Sequence, residues 1–156
     1  MSIHTNTSFE EPRLEVPRHA RPVYQAMVAF DGAIELDSSL RDLVSLRASI
    51  VNGCAHCVDM HTIDARTRGE SEQRLYAVAA WHEAPFFSER ERAALQLTDA
   101  ITLIADWHVP RDDFETAREH FDDEELVQLI WAITAINAWN RVAISTRMLP
   151  GLYEPG

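Results

Sequence analysis

Cys54-Ala55-His56-Cys57, followed four residues later by His61, gathers both cysteines and two of the seven histidines into eight positions. Two thiols three residues apart can close a disulfide without moving the fold, so as a pair they store and release two electrons. Asn52-Gly53 reads as a helix stop, so Cys54 opens the next helix. A thiol in a first turn lies near unpaired N–H groups and the positive end of the helix dipole, which favour the thiolate. Along that helix Cys54 and Cys57 differ by about 60° in heading and ~4.5 Å in rise, within disulfide reach after small side-chain adjustment. Cys57 and His61 differ by only about 40°, which sets the imidazole one turn beneath the second sulfur. His56 heads to a different face, although a frayed first turn would let it bend toward the site.

Reduction of a peroxide needs few parts. A thiolate attacks one oxygen, an acid protonates the departing alkoxide or water, and a second thiol resolves the sulfenic acid as a disulfide. The motif offers Cys57 beside His61 as the attacking sulfur, Cys54 as the resolving thiol, and two histidines to move protons. Two other readings compete. Cys54, His56, Cys57 and His61 could supply a zinc ion, but four ligands so close on one helix rarely encircle a metal. The pair could also be structural, and His61 a histidine simply hydrogen-bonded in the core.

The elements that must hold this motif are helical. From Arg21 onward apolar residues recur every three or four positions, and no segment alternates with period two. The spacing predicts an all-α domain of about seven helices, near 21–31, 38–51, 54–68, 71–82, 88–105, 111–120 and 123–147. Asp37-Ser38-Ser39 and Ser71 are good N-caps, and Ser88 to Glu91 has capping-box spacing. Residues 1–18, with Pro12 and Pro17, read as a polar arm that gains order only by docking; 19–148 form the domain and 149–156 a tail. The last long helix is apolar nearly all round and is expected at the centre of the bundle or in a subunit interface. Asn137, Asn140 and Arg141 interrupt it and need partners, so they are expected to tie helices or subunits together.

Composition narrows the chemistry. At 156 residues the chain can bury a core as one domain, and 46% hydrophobic with 25% charged residues is ordinary for a soluble protein. All fourteen basic residues are arginine, so Schiff-base and Walker-lysine chemistry are excluded. A net charge of −11 argues against nucleic acid as partner. No membrane span or signal peptide is legible, so a cytoplasmic location is expected, where a CxxC is reactive or metal-binding rather than a structural bridge.

Leu43-Val-Ser-Leu-Arg47-Ala-Ser49-Ile-Val-Asn52-Gly53-Cys54-Ala-His56-Cys57-Val-Asp59-Met60-His61 resembles the core of the AhpD-like alkylhydroperoxidase branch of the carboxymuconolactone decarboxylase superfamily. The likeness runs on through Trp81 to Pro85, Phe87 to Leu95 and Ile136 to Arg141, and so covers roughly residues 20–147. The resemblance implies an all-helical trimer or hexamer that reduces an organic hydroperoxide or hydrogen peroxide. An external dithiol or thiol protein would restore it, with no flavin, haem or metal. It implies Cys57 as the sulfur that becomes sulfenic acid, Cys54 as its disulfide partner, and His61 and His56 as proton-handling groups. The family places a glutamate twelve residues before the first cysteine, and that position here is Asp42, one methylene shorter. On one straight helix the two would stand ~18 Å apart, so Asp42 can join the relay only if the chain turns back at Asn52-Gly53. The decarboxylase branch is disfavoured, because its members are expected to lack the cysteine pair.

Overall fold

A computed structural model describes residues 11–155. Among these residues the secondary structure is entirely helical. The α-helices are α1 (Val16–His19), α2 (Arg21–Gly32), α3 (Ser38–Asn52), α4 (Ala55–Thr67), α5 (Glu72–Ala77), α6 (Glu89–Thr102), α7 (Ile104–Trp107), α8 (Arg111–His120) and α9 (Asp123–Thr146). The seven expected helices are all present, and two differ in extent. The span 71–82 ends early as α5 and continues only as a 3₁₀ turn over Val78–Ala80. The span 88–105 breaks at Leu103, whose backbone (φ −96°, ψ 31°) leaves the helical region before α7 resumes for one turn. Residues 1–10 of the expected arm lie outside the described residues. Its remainder holds the one-turn α1, and the Arg13 amide donates to the Thr146 carbonyl at 2.8 Å, against the end of α9.

The helix starts follow local chemistry. Asp37 caps α3 by accepting from the Leu40 amide at 3.0 Å. Ser88 and Glu91 form the expected capping box on α6, and Asp122 and Glu125 form a second on α9.

The centre of the bundle is α3, not α9. Helix α3 packs against α4, α6 and α9 together, and eight of its fifteen residues are buried. Helix α9 buries Leu129, Ala132, Ile133, Ile136 and Asn140 along one side but leaves Val127, Trp131 and Ile144 about half exposed on the other. The described residues therefore leave part of its apolar surface uncovered. Leu40, Val44, Leu97, Leu129 and Ile133 form one core cluster between α3, α6 and α9; Leu43, Leu46, Leu75, Val78, Trp81 and Leu95 form another toward α5. A third, smaller cluster joins Ala48, Ile136 and Ala143 to the two cysteines.

Candidate active site

One tight joint builds the site. Gly53 adopts the left-handed conformation (φ 70°), its amide returns to the Ile50 carbonyl at 3.1 Å, and the Cys54 amide reaches the Ser49 carbonyl at 2.9 Å. This pairing is the Schellman arrangement, in which the residue at the bend needs positive φ and glycine takes it without a Cβ penalty. The chain turns back, α4 lies along α3, and Asp42 comes to the same cavity as Cys57 despite twelve residues of separation from Cys54.

Cys54 is the N-cap of α4 rather than its first helical residue. Its sulfur accepts from the Cys57 amide at 3.4 Å. Both thiols are free and almost wholly buried. The hydrogen bond from the Cys57 thiol, above all, brings Cys54 down to about 7, against the opposing pull of burial. Cys57 is pushed the other way, first because its proton is held against the Cys54 sulfur and then because it is buried. The two thiols therefore titrate as one unit, the first proton leaving more easily than from an ordinary thiol and the second less easily. The Asn140 carboxamide also donates toward both sulfurs and favours their charged forms.

Asn140 is itself completely buried and fully used. Its Nδ2 donates to Ser49 Oγ at 3.0 Å, and its Oδ1 accepts from Asn52 Nδ2 at 2.9 Å. Asn52 Nδ2 also reaches Asn137 Oδ1 at 2.9 Å, and Asn137 Nδ2 donates to Thr102 Oγ1 at 3.0 Å. The asparagines do tie α9 to α3 and α6, while among the described residues Arg141 bonds within its own helix, to Asn137.

Cys57, His56, His61 and Asp42 line a cavity of about 620 Å³ between α2, α3, α4, α9 and the C-terminal segment. Tyr24, Val28, Met60, Ile136, Trp139 and Met148 supply its apolar walls, and Tyr24 meets Trp139 edge to face at 5.6 Å. Cys54 stands behind this wall. Among the described residues His61 Nε2 is buried without a hydrogen-bond partner, and burial above all holds the imidazole down to about 4, so it is neutral near pH 7. His56 does bend toward the cavity, and its Nδ1 lies 2.9 Å from the Leu149 carbonyl. A carbonyl only accepts, so Nδ1 carries a proton and, of the two neutral tautomers, the contact selects the one with Nε2 free to accept.

Asp42 meets Arg68 rather than a histidine. Both carboxylate oxygens accept from Arg68 Nη1, at 2.6 and 2.8 Å. Burial, the larger influence, raises the Asp42 carboxyl above its ordinary range against the pull of Arg68. Arg68 and Asp64, which also line the cavity, were legible in principle. Cys57, His61, Asp64 and Arg68 recur at spacings of four, three and four, one stripe of α4. Tyr153 carried no such signal; its hydroxyl donates to Asp64 Oδ1 at 2.7 Å from the far end of the chain. Among the described residues, no group of three or more His, Cys, Asp or Glu is arranged to hold a metal ion, and no helix is long and apolar enough to cross a membrane.

An all-helical bundle with a CxxC at the joint of two antiparallel helices defines the AhpD-like class. The chain belongs to the carboxymuconolactone decarboxylase family, whose model matches residues 21–100, and to the AhpD-like branch of that superfamily. The uncharacterized protein YdfG of Bacillus subtilis is 41% identical over 131 residues, which span 84% of this chain and 89% of YdfG. A protein of unknown function from Agrobacterium tumefaciens, described as a candidate antioxidant defence protein AhpD, superposes with a TM-score of 0.89. It is 40% identical and aligns over 92% of this chain and all of its own. The debrominase Bmp8 shares the fold alone, with a TM-score of 0.71 at 18% identity over 97% of this chain and 95% of its own. The fold therefore carries more than one reaction.

Proposed function

We propose that this protein is a thiol-dependent reductase of hydroperoxides. The observation that carries the reading is the division of labour between the sulfurs: Cys57 faces the cavity beside His61, and Cys54, whose thiol is brought down to about 7, stands behind it. With Cys54 in its thiol form, the Cys57 thiol passes its proton to neutral His61, so that the sulfur pair carries a single negative charge. The resulting thiolate attacks one peroxide oxygen, an S–O bond forms as the O–O bond breaks, and His61 returns the proton to the departing alkoxide. The Cys54 thiolate then attacks the Cys57 sulfenic acid, closing the disulfide and releasing hydroxide, which is protonated to water. An external dithiol or thiol protein reduces the disulfide and completes the cycle. His56 is a second proton-handling group at the rim. Asp42 acts by fixing Arg68 against the cavity wall.

The size and apolar walls of the cavity favour an organic hydroperoxide over hydrogen peroxide. The half-exposed apolar side of α9 supports assembly as a trimer or hexamer, and the composition suits the cytoplasm. The test is metal-free turnover of an organic hydroperoxide with a dithiol donor, comparing wild type with Cys57→Ser and Cys54→Ser. Turnover that vanishes with Cys57→Ser supports the mechanism. Inert wild-type protein whose Cys54–Cys57 disulfide still forms and reduces readily would favour a second reading, a disulfide exchanger or redox sensor. Burial of both sulfurs is the observation on that side.

A further inference from the structure

Proton transfer from Cys57 to His61 places a positive charge inside a wall that disfavours it, so a carboxylate nearby must hold that charge. The cavity offers three. Asp31, on α2, is paired with Arg41 of α3 at 2.9 Å. Asp42, on α3, gives both oxygens to Arg68. Asp64 is different. Its carboxylate accepts the Tyr153 hydroxyl at 2.7 Å and, among the described residues, meets no cation within ion-pair distance. It lies one turn beyond His61 on α4, where i and i+3 side chains are neighbours. The groups around His61 are otherwise His56, Cys57 and Arg68 on α4, Arg41 and Asp42 on α3, Asp31 on α2 and Tyr153; α9 contributes only Ala132, Ile136, Trp139 and Ala143 to the cavity. Of the surrounding charges, Asp64 most strongly favours protonated His61, whereas Arg41, Arg68 and His56 oppose it.

We propose that Asp64, fixed by the Tyr153 hydroxyl, is the positioning carboxylate that holds the proton on His61 while Cys57 reacts, the task for which Asp42 is already committed to Arg68. The inference rests on the peroxide-reductase reading for its purpose but not for its test. Tyr153 belongs to a segment laid along α4 by three hydrogen bonds: His56 to the Leu149 carbonyl, the Gly151 amide to Asp59 Oδ2 at 2.7 Å, and Tyr153 to Asp64. The C-terminal segment thereby sets the orientation of the relay.

The experiment measures alkylation of Cys57 by iodoacetamide from pH 6 to 9 in Cys54→Ser protein, which leaves His61 to take the proton. The sign of the Asp64→Asn effect decides the matter. A carboxylate acting directly on Cys57 resists thiolate formation, so its removal would speed alkylation. A carboxylate acting through His61 promotes thiolate formation, so its removal slows alkylation, by about tenfold at pH 7 for one unit of lost proton affinity. Asp64→Glu restores most of the rate, and Tyr153→Phe costs less than Asp64→Asn; these two also decide the question if Asp64→Asn does not fold. Unchanged or faster alkylation in Asp64→Asn, or in Tyr153→Phe where Asp64→Asn does not fold, overturns the proposal. Peroxide turnover of wild type, run in parallel, separates the two ideas. Slowed alkylation without wild-type turnover removes the peroxide reading and leaves Asp64 in place; turnover with unslowed alkylation does the reverse.

Discussion

The two ends of α4 are built on opposite plans. At its N-terminus every polar group near the sulfurs is satisfied: Cys54 caps the helix, Asn140 bridges Ser49 and Asn52, and Asn52 reaches Asn137. One turn further on, His61 Nε2 has no partner among the described residues, and the neighbouring carboxylates open onto a cavity. The first region is buried and bound together by hydrogen bonds, an arrangement that suits sulfurs meeting at fixed geometry. The second faces open space. In the proposed mechanism, electron storage and proton handling are divided along a single helix.

Cys57→Ser should erase the division by removing the atom that links the two ends. Turnover of an organic hydroperoxide is expected to fall to the uncatalysed background, while a melting curve stays close to wild type. Turnover surviving this change would mean that the two regions work separately. Replacing His61 with Gln strikes the proton side alone and should cost about 100-fold or more in kcat/KM, the usual weight of a positioned acid or base. Disulfide formation between Cys54 and Cys57 under a chemical oxidant should proceed nearly as before. Asn140→Ala strikes the other end. It strands buried partners on Asn52 and Ser49 and is expected to lower stability by about 1–3 kcal/mol. Thiolate absorbance during a pH titration should then show Cys54 ionising at higher pH.

The same contrast has a pH signature in the reduced protein. Cys54 is depressed from an ordinary 9.0 to about 7 on folding, so the folded state loses its proton first and stability rises between those values. Cys57 is raised above 9.0, so its contribution is intact below that value and declines above it. Denaturant midpoints should therefore climb from pH 7 to a maximum near 9. His61, depressed from 6.5 to about 4, adds stability that is present above 6.5 and lost as pH falls toward 4. Cys54→Ser should flatten the alkaline rise, and His61→Gln the acid fall. The smallest expected effect belongs to the joint. Gly53→Ala meets no neighbouring atom, so it should cost only the about 1–2 kcal/mol of a left-handed alanine, and equilibrium unfolding would measure it.

Helices and their caps were legible because they obey local rules. The period of apolar residues marked seven of the helices, Asn52-Gly53 marked the turn, and Ser88 with Glu91 marked the box. The break at Leu103 was not, since no glycine or proline announces it. The centrality of α3 was hidden for a different reason. Its buried Asp42, Ser45 and Ser49 dilute its hydrophobic pattern, whereas α9 is apolar on a side the described residues leave open. In the site, register brought Asp42 to the cavity as anticipated, but register cannot foretell that Arg68 would occupy it. Asn140 was legible as a bridge and not as a partner of sulfur. Tyr153 depended on how the tail lies, which no spacing encodes.

Because Cys54 is the cap of α4, the sulfur that would close the disulfide in the proposed cycle also holds the first turn of the helix. Bonding to Cys57 would weaken it as an acceptor for the Cys57 amide. In that cycle oxidation would loosen the very start of α4 and reduction would wind it tight again, and amide hydrogen exchange at Cys57, faster in the oxidised protein than in the reduced, would report it.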